Sequence, residues 1–201
     1  MANKCQLVDL KELYNTKLNS DFTIIVKGKQ FKIHKAILSA HSPVLATLFT
    51  NDTVERQTNE VSILDIYLTS EIFEKLLEYI YTDKVSNLDQ VAANLFEAAH
   101  KYQMTSLLKI CEESLRESLN PENIIQTLIL ADRCNAKNLK DFILDDMRRN
   151  YSLDILSSIG YDEISQTNLS LSYDVLVIIA EKLDSSIDWK NPMLRSFKLR
   201  R

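Results

Sequence analysis

Residues 20–33 read Ser-Asp-Phe-Thr-Ile-Ile-Val-Lys-Gly-Lys-Gln-Phe-Lys-Ile, with apolar and polar positions alternating about Lys27-Gly28-Lys29. Period two on both sides of a glycine turn predicts a β-hairpin. A helix is expected from Lys35, and 59–66 reads as a further strand. The spacing then changes to that of helices: over 70–81, Ile72, Phe73, Leu76, Leu77 and Ile80 share one face,. Val91, Leu95, Phe96 and Ala99 do so in a helix over 87–101, and Leu107, Leu108, Cys111 and Leu115 in one over 105–119. Asn120-Pro121-Glu122 predicts a helix start with proline at the first helical position, opening a new helical pair at 124–131. Further helices are expected over 137–149, 153–159 and 172–183. Ahead of the hairpin, Leu7, Leu10, Leu13 and Tyr14 form a short stripe that needs something to lie on, its own domain or a second subunit,. The pattern predicts an α+β chain, mainly helical, with a small sheet and a domain boundary near Leu119.

Composition narrows this. Hydrophobic residues make up 45% of 201, enough for a sizeable core, while two glycines and three prolines are too few for a turn-rich all-β fold,. A net charge of −4 lacks the basic excess of a nucleic-acid binder,. No apolar run approaches a bilayer's thickness, and the first ten residues lack the apolar core of a signal peptide, so a soluble protein of the nucleus or cytoplasm is expected. Cys5, Cys111 and Cys134 are odd in number and far apart, which fits buried thiols in a reducing compartment,.

Candidate chemistry is sparse. His34, His41 and His100 stand without metal-ligand or triad spacing,. Gly28 and Gly160 are isolated, so no glycine-rich phosphate loop or nucleophile elbow is present. The adjacent acids Glu112-Glu113 and Asp145-Asp146 point in different directions on a helix and read as solvated faces. No solenoid repeat or low-complexity segment occurs. Neither an enzyme nor a cofactor is expected. The basic cluster Arg195–Arg201 reads either as a solvated tail or as a nuclear-import signal.

Four segments within this pattern resemble a known family: Ser20-Asp21-Phe22 before the hairpin; His34-Lys35-Ala36-Ile37-Leu38 with Ser42-Pro43 after it; Tyr79-Ile80-Tyr81-Thr82; and Ala98-Ala99-His100-Lys101-Tyr102. Together they resemble the BTB/POZ domain. Similarity continuing through Asn120-Pro121-Glu122-Asn123 and Leu128–Asp132 brings the chain nearest to the BTB part of speckle-type POZ proteins. The resemblance divides the chain into a BTB domain with an N-terminal dimerisation helix (1–119), 3-box and partial BACK helices (120–184), and a flexible basic tail (185–201). Those relatives carry a substrate-binding MATH domain, whereas this sequence begins about twenty residues before the signature, as a fragment or a naturally short form would. Kelch blades are absent from these residues, and so are the clustered zinc ligands of potassium-channel relatives.

The resemblance implies a homodimer with Leu10, Leu13 and Ile37 at its interface; one position further back Gln6 replaces the relatives' leucine. It also implies a charged pocket, in which Asp21 matches and His41 stands where relatives have arginine. A histidine beside that carboxylate would make the dimer mildly pH-sensitive. The loop Asn51–Arg56 aligns with the hydrophobic-x-Glu motif by which BTB adaptors engage cullin-3: Glu55 matches, Thr53 takes the apolar position, and Val54 lies beside it. The relatives' BACK self-association tyrosine aligns with Asn150, next to Tyr151. The function so implied is a non-enzymatic adaptor that holds cullin-3 in a ubiquitin-ligase assembly. Two alternatives are a dimeric transcriptional cofactor holding a corepressor peptide, and a regulatory form that pairs with full-length MATH-BTB relatives.

Overall fold

The computed structural model describes residues 10–50, 58–65, 68–152 and 169–186. The chain forms two compact units, 1–117 and 118–201. The first begins with helix α1 (Leu10–Thr16) and the hairpin β1 (Phe22–Val26) and β2 (Lys29–Ile33). Helices α2 (Lys35–His41) and α3 (Pro43–Thr50), strand β3 (Glu60–Ile63), and helices α4 (Ser70–Thr82), α5 (Leu88–Lys101) and α6 (Thr105–Glu117) follow. The second holds α7 (Ile124–Arg133), α8 (Lys137–Asn150) and α9 (Leu169–Ser186).

The hairpin turns where the alternation placed it. Lys27 and Gly28 both take positive φ, 48° and 80°. This two-residue turn matches the twist of the strands and brings Val26 opposite Lys29,. The register pairs Phe22 with Ile33 and Ile24 with Phe31, putting the apolar set on one face. β3 joins the other edge of β1 in parallel, Ile24 beside Val61, giving the order β2-β1-β3. β3 ends at Ile63 and is shorter than the strand expected over 59–66, with Leu64 and Asp65 lying beyond it.

α4 buries Ile72, Phe73, Leu76, Leu77 and Ile80, the five residues its periodicity selects, together with Tyr79 and Tyr81. Thr69 caps it by accepting from the Ile72 amide at 3.2 Å,, and Asp83 ends it in the left-handed region. Phe73 meets Phe31 edge to face with ring centroids 5.1 Å apart, joining helix and sheet,. α5 and α6 pack against one another. Cys111 lies wholly inside α6, where burial pushes its thiol up to about 12,.

In the second unit Pro121 does not occupy the first position of a regular helix. Residues 121–123 form a turn, and α7 starts at Ile124. The two asparagines explain this. Asn120 Oδ1 accepts from the amides of Glu122 and Asn123, while Asn123 Oδ1 accepts from the Asn120 amide. This reciprocal arrangement satisfies amides that a helix end leaves open. Lys140 on α8 binds Asp132 on α7 at 2.9 Å and Asp174 on α9 at 3.1 Å. α9 runs from Leu169 to Ser186, longer than expected at both ends, so Ser185 belongs to a helix and not to a tail. The helix expected over 153–159 lies outside the described residues.

Ser42 ties the first unit together. It is fully buried, and its hydroxyl donates to the Tyr102 carbonyl at 2.7 Å while accepting from the Leu45 amide at 3.1 Å. It therefore caps α3, with Pro43 at the first helical position. Ser42→Ala removes both bonds and should lower unfolding free energy by about 2 kcal/mol in denaturant titration. Tyr102 gives a second expectation. Burial, with a smaller contribution from Asp65, pushes its phenol up to about 12. The unfolded chain then releases this proton first, near the ordinary tyrosine value of 10.0. Stability is intact below that pH and falls as pH rises towards about 12, by on the order of 2 kcal/mol,. Alkaline denaturation of Tyr102→Phe should lack this component.

Candidate dimer face and partner-binding surface

α1 has seven residues and buries none of them. Leu10 is 40% exposed and Leu13 is half-buried. Such a helix is too short to persist in water without a surface beneath it, and α4 supplies one side. Tyr14 lies against Tyr81 with ring centroids 5.5 Å apart, and Lys17 sets its ammonium 3.7 Å from the Tyr14 ring,. Lys17 ends α1 in the left-handed region, donating its amide to the Leu13 carbonyl at 2.9 Å. Burial lowers the Lys17 pKa, with Glu74 opposing, and raises that of Tyr14.

Beneath α1 the signature histidine is fully engaged. The backbone amide of His34 donates to the Tyr81 hydroxyl at 3.1 Å, and its Nδ1 lies 2.8 Å from the same oxygen. Nε2 lies 2.7 Å from the Leu18 carbonyl, which can only accept,. Nε2 therefore carries hydrogen and the neutral ring takes the tyrosine proton at Nδ1. The arrangement joins the end of α1, the start of α2 and the end of α4, and it leaves no ring nitrogen for catalysis. Burial, the largest cause, raises the Tyr81 pKa, and the charges of Asp21 and Tyr14 add to it against the His34 amide bond.

The structure places the charged-pocket residues apart. Asp21 Oδ1 accepts from the Lys35 amide at 2.9 Å, at the start of α2. His41 Nδ1 donates to the Ile37 carbonyl at 3.0 Å, in the last turn of the same helix. Within one chain they lie at opposite ends of α2, so they can meet only across two chains. Ile37 is half-buried between them. His100 is exposed. Thr53, Val54 and Glu55, like Cys5, Gln6, Leu7 and the basic cluster at 195–201, lie outside the described residues. Asn150 is exposed with its amide on Asp146 at 2.6 Å, and Tyr151 is buried, so Tyr151 is not presented for self-association.

A feature that periodicity did not reveal is an apolar groove of about 460 Å³ between α3, β3 and the end of α5, lined by Val44, Leu48, Val61, Ile63 and Tyr102. It is assembled from three separate stretches, with a Lys101–Asp65 ion pair of 2.5 Å at the same place in the fold. Among the described residues no group of histidine, cysteine or acidic side chains could hold a metal ion, and no helix is long and apolar enough to cross a membrane. Asp145 pairs with Arg148 and Arg149 on an exposed face, whereas Glu112, expected on a solvated face, is only 21% exposed where it pairs with Arg116.

The sequence matches the family model of the BTB/POZ domain over residues 10–119. The chain belongs to the BTB/POZ domain family, whose members are protein-interaction modules. The match covers α1 to α6, with the helix bearing Leu10 and Leu13 at its start.

The His34–Tyr81 contact yields a direct test. Tyr81→Phe keeps the ring against Tyr14 but leaves the His34 amide and Nδ1 without the hydroxyl, costing about 1–2 kcal/mol in thermal or denaturant unfolding. An unchanged stability would show that the bond is not needed to hold α1, α2 and α4 together.

Proposed function

We propose that the chain is a homodimeric adaptor that binds cullin-3 in a ubiquitin-ligase assembly. The single observation that carries this reading is an α1 with no buried residue, its Leu10 exposed and its Leu13 half-buried, in a chain of the BTB/POZ family. A second copy covers Leu10 and Leu13, with Ile37 on α2 continuing the surface. Asp21 of one protomer and His41 of the other are then free to approach across the two-fold axis. The loop bearing Thr53, Val54 and Glu55 engages cullin-3, an apolar position filling a pocket while Glu55 makes the polar contact. Residues 120–184 serve as 3-box and partial BACK helices and add surface to that contact.

Leu13→Asp places a charge in the dimer contact and should give monomers by sedimentation; a variant that stays dimeric would defeat the interface assignment. Titration with the N-terminal domain of cullin-3 should saturate at two cullins per dimer, and Glu55→Lys should abolish binding. Thr53→Leu restores an apolar side chain and should tighten binding by about tenfold. A clean dimer that binds no cullin-3 would overturn the adaptor reading in favour of a dimer that holds a corepressor peptide.

A further inference from the structure

The connection between α4 and α5 turns on one hydroxyl. Asp83 and Asn87, at φ 54° and 53°, both stand in the left-handed region and break regular structure on either side of residues 84–86. Ser86, exposed in this loop, reaches back to α4. Its amide donates to Glu78 Oε1 at 3.2 Å and its hydroxyl to Glu78 Oε2 at 2.9 Å, so one carboxylate takes both of its donors. Lys75, one turn earlier on α4, bonds the Ser86 Oγ and pairs with Glu78 Oε2 at 3.2 Å. Burial works against charge on Glu78, and the Ser86 hydroxyl and Lys75 outweigh it, holding the carboxyl below its ordinary value,. Thr16, Thr47, Thr127, Ser172 and Ser185 each donate to a backbone carbonyl about one turn back,. Ser86 differs from them in giving its proton to a charged group on another element.

We propose that Ser86 is a phosphoryl-acceptor site and that its phosphorylation unlocks the α4–α5 connection. Asp83 and Asp89 lie three residues before and after it, which suits the basic cleft of an acid-directed serine kinase. An exposed loop can be drawn into such a cleft, whereas a hydroxyl bonded within a helix cannot. The Ser86 Oγ attacks the γ-phosphorus of ATP, the bond to the β–γ bridging oxygen breaks, ADP leaves, and the hydroxyl proton passes to the catalytic carboxylate of the kinase. The product carries close to two negative charges at neutral pH and has no proton to give Glu78. Two anions then meet where a hydrogen bond was, with Lys75 bonded to both. The dianion holds Lys75 the more strongly. Glu78 thus loses its hydroxyl and ammonium donors together and swings away, breaking the bond to the Ser86 amide as well. Glu78 also lines the cleft where α1 meets α4, with Tyr14 and Lys11, so the change falls beside the seat of α1. The proposal stands apart from the cullin-3 reading, since no step of it requires a partner other than the kinase.

Incubating the full chain with casein kinase 2, magnesium and ATP should place a phosphoryl group on Ser86, located by peptide mass spectrometry, and Ser86→Ala should lose it. Chain carrying genetically encoded phosphoserine at position 86 then tests the consequence without a kinase. Hydrogen exchange of amides 84–88 should quicken by about tenfold relative to the unmodified chain. Ser86→Ala gives up one bond and adds no charge, so it should quicken exchange less. In Glu78→Gln the facing group is neutral and its amide can donate to phosphate, so phosphoserine should no longer quicken exchange. Ser86 left unmodified by the kinase overturns the acceptor assignment. Exchange that phosphoserine leaves unchanged, or quickens equally in Glu78→Gln, overturns the unlocking.

Discussion

A hydroxyl sealed from water has to make its hydrogen bonds inside the protein. Ser42 satisfies that demand with two groups that have no other reason to be near each other. One is the Leu45 amide in the first turn of α3, and the other is the carbonyl of Tyr102, sixty residues further along. The first fixes where α3 begins and how the chain leaves α2. The second fixes that corner against the end of α5. With the corner set, α3 presents Leu45 to the core, and the groove lined by Val44, Leu48, Val61, Ile63 and Tyr102 has its walls. His34 and Tyr81 do the same at the other end of α2, so a helix with one fully buried side chain, Leu38, is held at both ends by polar contacts.

The signature residues of the sequence are thus mostly structural. Ser42, His34, Tyr81 and Tyr102 lie in the segments that resemble the family, and each takes part in a contact that pins one element to another. This is also why the chemistry is so sparse: the histidine most open to suspicion spends both ring nitrogens on tertiary contacts. Among the described residues, apolar surface is left open in the groove between α3, β3 and the end of α5 and on the outer sides of two helices. These are α1 in the first unit, with Leu10 exposed, and α9 in the second, with Leu169, Tyr173, Leu176 and Leu183 exposed.

Legibility in the sequence followed the range of the interaction. The Lys27-Gly28 turn, the five core positions of α4 and the buried side of α5 are local periodicities with one solution, and the structure holds them; on α6 Leu107, Cys111 and Leu115 are buried while Leu108 is half-buried. The turn at Asn120–Asn123 was harder, because proline at a first helical position and proline in a capping turn look alike until the asparagine bonds are seen. β3 ran short since alternation in 59–66 does not say where pairing with β1 stops. The separation of Asp21 and His41 needed the length and capping of α2. The groove was out of reach, being built from residues 44, 63 and 102 that meet only in the fold. The open side of α9 was hidden for the opposite reason: apolar residues on both faces blur the contrast that marks a core side.

The parallel pairing of β3 with β1 carries a kinetic consequence. β1 and β2 meet through a two-residue turn and close at small entropic cost, and α4, α5 and α6 each pack on the next in sequence. β3 must instead find a strand whose partners run from Thr23 with Glu60 to Val26 with Ile63, closing a loop that contains α2 and α3,. Its docking gains little until those two helices are in place, so the hairpin forms early and the third strand closes the sheet late. The pairing of residues 23–26 with 60–63 thus joins the Ser42–Tyr102 and His34–Tyr81 contacts as the long-range closures that slow folding of the first unit,.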